Sequence, residues 1–260
     1  MTPAPGRLLL VPTPLDFGAA DALASDLEDA LPLGVIRQAA ALAYWVAENA
    51  RTARAFLKRV DAVARLALPL QEIHIVELPR PPKGRDVTAA GGADLDRLLA
   101  PALEGHDLGL VSEAGLPAIA DPGAALVRRA HELGGPVTPL PGASALLLAL
   151  AASGLNGQAF AFVGYLPQEP GARAGRIREL EALSQRTGQA QLIIETPYRN
   201  RVLLAALVAC LQPETRLSVS CGLGLDIGWT HSDRIATWRT RSIEMPADLP
   251  AVFALQRSRD

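Results

Sequence analysis

Short apolar runs alternate with helical periods along the first half of the chain. The apolar or β-branched runs that predict strands are residues 8–11, 42–47, 73–78, 108–112 and 137–140. The periodic segments that predict helices are residues 21–31, 49–60, 94–103 and 122–133. Taken alone, the pattern at 42–47 fits a strand or a helix, and the Pro- and Gly-rich segment 80–92 predicts an exposed loop. Because strands and helices alternate, this half predicts a parallel sheet.

The second half has a different order of elements. Its predicted strands are residues 159–163, 192–195, 217–221, 234–238 and 252–256, and its predicted helices are residues 173–186 and 200–211. Only a short connection separates the last two strands, which favours antiparallel pairing between them. We therefore expect a mixed sheet in this half, a domain boundary near Pro141 and a mobile loop at residues 168–175.

Two turns rich in Gly and Pro, at residues 114–123 and 139–144, each follow an apolar run and precede an apolar helical segment. In α/β proteins such loops lie at the carboxyl ends of strands, where ligands bind. The glycines that allow close approach of a ligand or a positive φ are Gly115, Gly123 and Gly142. Asp121 followed by Pro122 predicts a helix N-cap and first helical position. Either turn alone is compatible with a simple connection between a strand and a helix, but two such turns in succession favour a binding site.

Six motifs, in the same order along the chain, resemble those of one bacterial enzyme family. VSEAGLPAIADPG at residues 111–123 is similar to VSDAGTPGISDPG, and PLPGASALLLALAASGL at residues 139–155 is similar to PLPGPSALLTALSASGL. The four shorter matches are LVPTP at 10–14, AENAR for AEDTR at 47–51, GYLP for GFLP at 164–167, and ETPYR for ESPHR at 195–199. The chain therefore resembles, over nearly its whole length, the bacterial 16S rRNA ribose 2′-O-methyltransferase I family.

This resemblance implies an α/β fold of the two-domain, tetrapyrrole-methylase-like type, the class III fold of S-adenosylmethionine (SAM) methyltransferases. It implies a parallel sheet in an N-terminal domain at residues 1–141 and a mixed sheet in a C-terminal domain at residues 142–260, with the cofactor cleft between them. It favours a strand rather than a helix at residues 42–47. It also implies SAM as cofactor, a homodimer, and 16S rRNA or the small ribosomal subunit as the RNA partner.

The chain departs from the family pattern at several positions. The family's GNLGD after PTP is here LDFG at residues 15–18, the Thr of AGTPG is Leu116, and the acid of AEDTR is Asn49. A late ARELTK-type segment is replaced by SCGLGLD at residues 220–226. The loops on the cofactor side are thus better preserved than the substrate side, so the resemblance supports SAM more strongly than it supports one acceptor.

Composition limits the classes of protein to which this chain can belong. The chain has 260 residues, of which 49% are hydrophobic and 20% charged, as in a globular protein. Its formal net charge is −2, so no global basic field indicates nucleic acid, and any RNA contact requires a local arginine patch. The two cysteines lack metal-ligand spacing, which fits a reducing cytoplasm and no metal. The longest apolar run, at residues 143–155, is shorter than the ~20 residues of a membrane span, so no membrane partner is expected.

The chemistry of SAM defines what the loops must supply. SAM has no phosphate, so its carboxylate needs backbone donors and its adenine needs apolar walls. Methyl transfer is an in-line displacement, for which the protein mainly holds acceptor, methyl and sulfur in line. The predicted cofactor-binding residues are Pro12, Thr13, Pro14, Ser112, Glu113, Ala114, Gly115, Leu116, Pro117, Ile119, Ala120, Asp121, Pro141, Gly142, Ala143, Ser144, Val163, Gly164, Tyr165 and Leu166.

Carboxylates and arginines beside the family-like motifs are the predicted catalytic residues, namely Glu48, Arg51, Glu195 and Arg199. A ribose hydroxyl is a poor nucleophile and gains from a carboxylate that accepts its proton, while an arginine can hold an anionic acceptor. The structural alternatives are a local salt bridge between Glu48 and Arg51, a helix cap by Glu195 and a solvated Arg199. Asp226 is a further candidate, with a turn residue as its alternative.

Three functions remain open from the sequence alone. The first is a SAM-dependent methyltransferase of the rRNA ribose 2′-O type. The second is a methyltransferase of a small molecule or tetrapyrrole on the same fold, and the third is a SAM-binding relative without catalysis. The near-neutral overall charge and the changes at Leu116 and Asn49 weaken the first, whereas the preserved cofactor loops weaken the third.

Overall fold

The computed structural model describes residues 4–16, 26–79, 92–241 and 244–258. The chain divides into two compact units, Met1–Ala143 and Ser144–Asp260. The loop predicted at 80–92 lies outside the described residues except for Gly92, as do residues 21–25 of the first predicted helix.

The first unit contains a five-stranded sheet in which every neighbouring pair is parallel, as the alternating pattern predicts. Its strand order is β3-β2-β4-β1-β5. The strands are β1 (Leu8–Leu10), β2 (Tyr44–Ala47), β3 (His74–Glu77), β4 (Leu108–Val111) and β5 (Val137–Pro139). The helices are α1 (Leu27–Ala30), α2 (Leu33–Ala40), α3 (Ala50–Val63), α4 (Gly92–Leu103) and α5 (Ala124–Glu132).

Helices cover both faces of this sheet, which explains why its central strands are continuous apolar runs. On one face, Phe56 and Leu57 of α3 pack in a buried cluster with Trp45 of β2. On the other face, Leu99 of α4 and Leu126 of α5 pack in a second buried cluster with strand residues. The carboxyl ends of the parallel strands therefore lie at one edge of the sheet, from which the connecting loops leave.

Two helix predictions in this unit need correction. Residues 26–31 hold only the four-residue helix α1, and Pro32 separates it from α2, which the sequence analysis did not predict. Helix α5 begins at Ala124 rather than Pro122. Gly123 is its N-cap with a φ of 133°, so the prediction that Asp121 caps this helix is wrong.

The second unit contains a five-stranded mixed sheet with the order β6-β7-β10-β8-β9. Strands β6 and β7 are parallel, and the other neighbouring pairs are antiparallel. The strands are β6 (Phe160–Phe162), β7 (Ala190–Glu195), β8 (Arg216–Cys221), β9 (Trp229–Arg234) and β10 (Ala251–Gln256). The helices are α6 (Ala145–Ser153), α7 (Pro170–Thr187), α8 (Asn200–Cys210) and α9 (Ile235–Trp238).

The strand predicted at residues 234–238 is wrong. The strand lies earlier, as β9, and residues 235–238 form the short helix α9. Helix α9 buries Ile235 and Trp238, and the Trp238 indole N–H donates to the Leu217 carbonyl at 2.9 Å. The last two strands are also not paired with each other: β9 pairs with β8, and β10 lies between β7 and β8.

The mobile loop predicted at residues 168–175 is wrong as well. Helix α7 begins at Pro170, whose fixed φ suits the first helical position. The Glu169 carboxylate caps the helix by accepting from the N–H groups of Gly171 at 2.8 Å and Ala172 at 2.5 Å. Among the described residues, no helix is both long and apolar enough to cross a membrane.

Candidate functional site

Three loops of the first unit meet at the carboxyl ends of β4, β1 and β5, which are adjacent in the sheet. The loops after β1 and β4 are joined by two backbone hydrogen bonds, from Thr13 N–H to the Gly115 carbonyl at 3.0 Å and from Gly115 N–H to the Thr13 carbonyl at 3.1 Å. The loop after β5 contributes Pro141 and Gly142, both exposed to solvent. The structure therefore brings the predicted cofactor-binding residues of this unit together at one edge of the sheet.

Gly142 is required by the packing of these loops. A Cβ atom at this position would lie 2.3 Å from Cγ and 2.4 Å from Cβ of Pro12. The sequence predicted that this glycine makes room for a ligand, and the structure adds that it first makes room for the loop after β1. A substitution of Gly142 consequently tests the packing between the two loops as well as ligand binding.

We expect Gly142→Ala to destabilise the protein by about 1–3 kcal/mol, because the added methyl group overpacks the contact with Pro12. Thermal unfolding followed by circular dichroism checks this. Gly34→Ala is the matched control, since a Cβ atom at Gly34 meets nothing within 4 Å. That variant is expected to gain up to about 1 kcal/mol from the helix preference of alanine. Equal melting temperatures for Gly142→Ala and the unaltered chain would contradict the packing argument.

The loop after β4 has an unusual backbone. Ala118 and Ala120 have φ values of 66° and 65°, a region that costs a residue with a Cβ atom about 1–2 kcal/mol. The family motif that the chain resembles has glycine at the position of Ala118. Ile119 between them is exposed despite its apolar side chain. Such strain persists only where the surroundings enforce it, and it is concentrated at ligand-binding loops.

Three carboxylates approach one another beside this loop. The pKa of Asp121 is raised to about 7, chiefly by burial and also by the charges of Glu48 and Glu113, while a hydrogen bond with Ser112 opposes the rise. The Glu113 N–H donates to Glu48 Oε2 at 3.2 Å. The edge is therefore electronegative, and a carboxyl group within it changes charge near neutral pH.

Asn49 has a defined role in this arrangement. Its side-chain oxygen caps α3 by accepting from Arg51 N–H at 2.9 Å, while its amide nitrogen donates to Glu113 Oε1 at 3.1 Å. An ionised aspartate, the residue of the family motif, can cap the helix but cannot donate to Glu113. Asn49 thus supplies a side-chain donor to the Glu113 carboxylate that an ionised aspartate could not supply. The Arg51 side chain lies at the same helix start and is exposed.

The predicted residues of the second unit lie at the ends of the parallel pair β6 and β7. The Gly164 carbonyl accepts from Ile194 N–H at 3.2 Å, so the segment that contains Val163, Gly164, Tyr165 and Leu166 continues beside β7. Leu166 is buried and Tyr165 is exposed, whereas Ser144 is the N-cap residue of α6.

Glu195 and Arg199 form a close ion pair in this unit. Arg199 Nη2 lies 2.7 Å from Glu195 Oε2, and the side chains are 18% and 2% exposed, respectively. The other oxygen of Glu195 accepts from Thr196 N–H at 2.8 Å. Both oxygens of this carboxylate are occupied, by an ion pair and a backbone donor, which differs from the helix cap that the sequence offered as the structural alternative for Glu195.

The titrating role of Asp121 is what sequence reasoning missed, because the residue was assigned to a helix cap and the cofactor loop. The available signal was its position inside the Gly/Pro loop at residues 114–123, which follows directly after Glu113. Among the residues that the structure describes, no group of three or more His, Cys, Asp or Glu side chains is placed to hold a metal ion.

Sequence comparison connects this fold with known proteins. Residues 35–239 match the profile of the family described as Tetrapyrrole (Corrin/Porphyrin) Methylases. The chain is 36% identical to Ribosomal RNA small subunit methyltransferase I of Bacillus subtilis (strain 168) over 159 residues, which cover 60% of this chain and 52% of that protein. It is 48% identical to the protein of the same name from Xylella fastidiosa over 85 residues, which cover 33% of this chain and 31% of that protein. The matches thus span about half the length of these relatives or less.

Structural comparison gives the same architecture. A crystal structure of diphthine synthase matches with a TM-score of 0.55 at 16% identity, covering 96% of this chain and 90% of that chain. At this identity the likeness shows the fold alone. The predicted α/β fold class, with a parallel first sheet and a mixed second sheet, is confirmed.

Proposed function

The chain belongs to the tetrapyrrole methylase family, and from this premise we propose that it transfers a methyl group from SAM to a ribose 2′-hydroxyl of small-subunit rRNA. One observation carries the proposal: three loops converge at the carboxyl edge of β4, β1 and β5, beside a carboxyl group whose pKa is raised to about 7.

The residues at this edge fit SAM. SAM carries a sulfonium and an ammonium against one carboxylate, so its net charge is positive, and the carboxylates Glu48, Glu113 and Asp121 favour a cation. The exposed Ile119 offers an apolar contact for adenine. Turns with positive φ present backbone N–H groups of the kind that bind a carboxylate. When bound, SAM supplies an electrophilic methyl group on its sulfonium.

A carboxylate of the chain can supply the base that methyl transfer to a hydroxyl requires. A ribose hydroxyl must lose its proton as it is methylated, and a base with a pKa near the working pH takes that proton most effectively. We assign this role to Asp121, whose pKa is raised to about 7 by burial and by the charges of Glu48 and Glu113. Arg51 is exposed and suits a phosphate of the acceptor, whereas the ion pair of Arg199 with Glu195 supports a positioning role.

The choice of rRNA as acceptor rests on the relatives, because the matching proteins from Bacillus subtilis and Xylella fastidiosa bear the name of a small-subunit rRNA methyltransferase. The test uses SAM with a labelled methyl group, incubated with the protein and with small ribosomal subunits from a strain that lacks it. Label in the rRNA, retained on ribose after digestion to nucleosides, supports the proposal. Label only in small molecules, or no transfer at all, overturns it in favour of one of the two alternatives.

We also propose that the chain acts as a homodimer. Helix α6 buries Leu146 and Leu150 against its own sheet, yet its outer face is apolar too, with Leu147 and Leu148 exposed by 53% and 44%. A helix that is apolar on all sides is normally covered by another surface. Support for a second copy comes from the absence of charge on α6, which permits the same face to pack against itself across a two-fold axis.

We expect Leu147→Glu to convert the protein to a monomer, because a carboxylate on each copy would be buried in the shared face. Sedimentation velocity at micromolar concentration measures this. Leu103→Glu, at an exposed leucine of α4, is the matched control and should leave the dimer intact. A dimer that persists in Leu147→Glu, or a monomeric unaltered chain, would contradict this assignment.

A further inference from the structure

A groove of about 500 Å³ lies in the second unit, and its lining includes none of the residues assigned above to catalysis. Its walls come from α8, from the end of α9 and from the chain at residues 244–245. The floor is apolar and consists of Leu204, Ala205, Val208 and the buried Trp238. All of these lining residues belong to the second unit.

Positive charge dominates the rim of this groove. Arg201, Arg239 and Arg241 line it together with one acidic residue, Glu244. All four side chains belong to exposed residues. In a chain with a formal net charge of −2, three arginines against one glutamate form a local basic patch rather than part of a general field.

Backbone carbonyl groups hold two of these arginines in place. Arg201 Nε donates to the Met245 carbonyl at 2.9 Å, and Arg239 Nη2 donates to the Leu211 carbonyl at 2.9 Å near the end of α8. These contacts use only part of the five donors of each guanidinium, and the remaining N–H groups have no partner among the residues that the structure describes. An arginine fixed in this way loses little conformational freedom when it binds an anion.

Arg241 completes the rim on the side of β9. Its guanidinium contacts His231 Nε2 and lies 3.8 Å from Asp233 Oδ2. The longer ion pair and the exposure of Arg241 leave its charge available to a ligand that reaches both walls. The three guanidinium groups therefore flank an apolar floor, which matches the alternation of phosphates with sugars and bases in a single nucleic-acid strand.

We propose that this groove binds the phosphodiester backbone of the RNA acceptor. The inference rests on the proposed function, because it assigns the surface that holds the acceptor of that reaction. Charge complementarity selects the occupant: arginine forks bind phosphates in two-pronged geometry, and the groove has no matching row of acidic side chains for a basic partner.

The test measures binding of a fluorescein-labelled oligouridylate by anisotropy, using the full chain. Arg201→Gln and Arg241→Gln are each expected to raise Kd about tenfold, because each removes a charge-assisted contact. Each should also reduce the slope of log K against log salt by about 0.7, the value for one released counterion on a single strand. Arg176→Gln, at an exposed arginine of α7, is the matched control and should change neither quantity.

Glu244→Gln distinguishes the loss of an RNA contact from misfolding. It removes the acidic side chain of the rim and should tighten RNA binding severalfold, which a misfolded variant would not do. Groove variants that bind the oligouridylate like the unaltered chain overturn the proposal. So does a loss of binding to phosphatidylserine vesicles without a loss of binding to RNA. Neither of these two results touches the proposed activity, which transfer of labelled methyl groups to the small subunit tests separately.

Discussion

Asp121→Asn is expected to lower the rate of methyl transfer by about 10²- to 10⁴-fold, the range that general bases contribute. Asparagine keeps the size of the side chain and a hydrogen bond with Ser112, but it cannot accept the proton of the acceptor hydroxyl. SAM affinity should fall by less than about tenfold, because Glu48 and Glu113 remain. Single-turnover assays with labelled SAM, together with calorimetry, separate the two effects.

The dependence on pH gives this prediction a second readout. The rate of the unaltered chain should rise with pH through about 7 as Asp121 ionises. Asp94→Asn, at an exposed aspartate of α4, is the control and should keep the rate and its pH dependence. An Asp121→Asn variant with the rate of the unaltered chain would leave Asp121 as a structural residue and shift the search for the base to Glu48.

Stability should depend on pH through the same group. Because the pKa of Asp121 in the folded protein is raised from 3.8 to about 7, folding favours its protonated form. The stability that this group contributes is fully present below its ordinary pKa and is lost as pH rises to about 7. An asparagine side chain does not titrate, so the melting temperature of Asp121→Asn relative to the unaltered chain should increase between pH 5 and pH 8.

The second large effect concerns the ion pair in the second unit. Arg199→Ala is expected to destabilise the protein by about 3–5 kcal/mol, because it leaves the carboxylate of Glu195 buried without its partner. For a chain of this size such a loss corresponds to a drop in melting temperature on the order of 10 °C. Thermal unfolding measures the change.

Two further variants make this result interpretable. Arg97→Ala breaks the Arg97–Asp94 pair, whose arginine side chain is 81% exposed, and should cost no more than about 1 kcal/mol. Adding Glu195→Gln to Arg199→Ala should recover part of the lost stability, since the buried charge is removed with its partner. An Arg199→Ala variant that is as stable as the unaltered chain but inactive would instead support the catalytic role that the sequence assigned to Arg199.

Elements with a strong periodic signal could be predicted from the sequence. The buried runs around Leu9 and Leu110 have no polar residue that would place them on a surface, so they predict strands of a parallel sheet. The error at residues 234–238 arose because Ile235 and Trp238 fit a strand as well as one turn of helix. Packing of Trp238 against β8 decides between them, and local sequence does not contain that contact.

The candidate site also combines features that the sequence predicts with features that it does not. The loops could be predicted because glycine and proline mark them and because a known family carries similar motifs. The roles of single side chains could not, since they depend on contacts over long separations, such as the amide of Asn49 on Glu113 and the ring of Pro12 against Gly142. The raised pKa of Asp121 likewise depends on a glutamate from the end of a different strand.

The central claim is that the loops after β4, β1 and β5 form an electronegative SAM site, and titration calorimetry of SAM into the unaltered chain tests it most directly. The account predicts one SAM per chain, bound more tightly at pH 8 than at pH 6 because Asp121 is ionised at the higher pH. Asp121→Asn should bind SAM with nearly the same affinity at both values. Absence of binding, or a dependence on pH that survives in Asp121→Asn, would contradict the account.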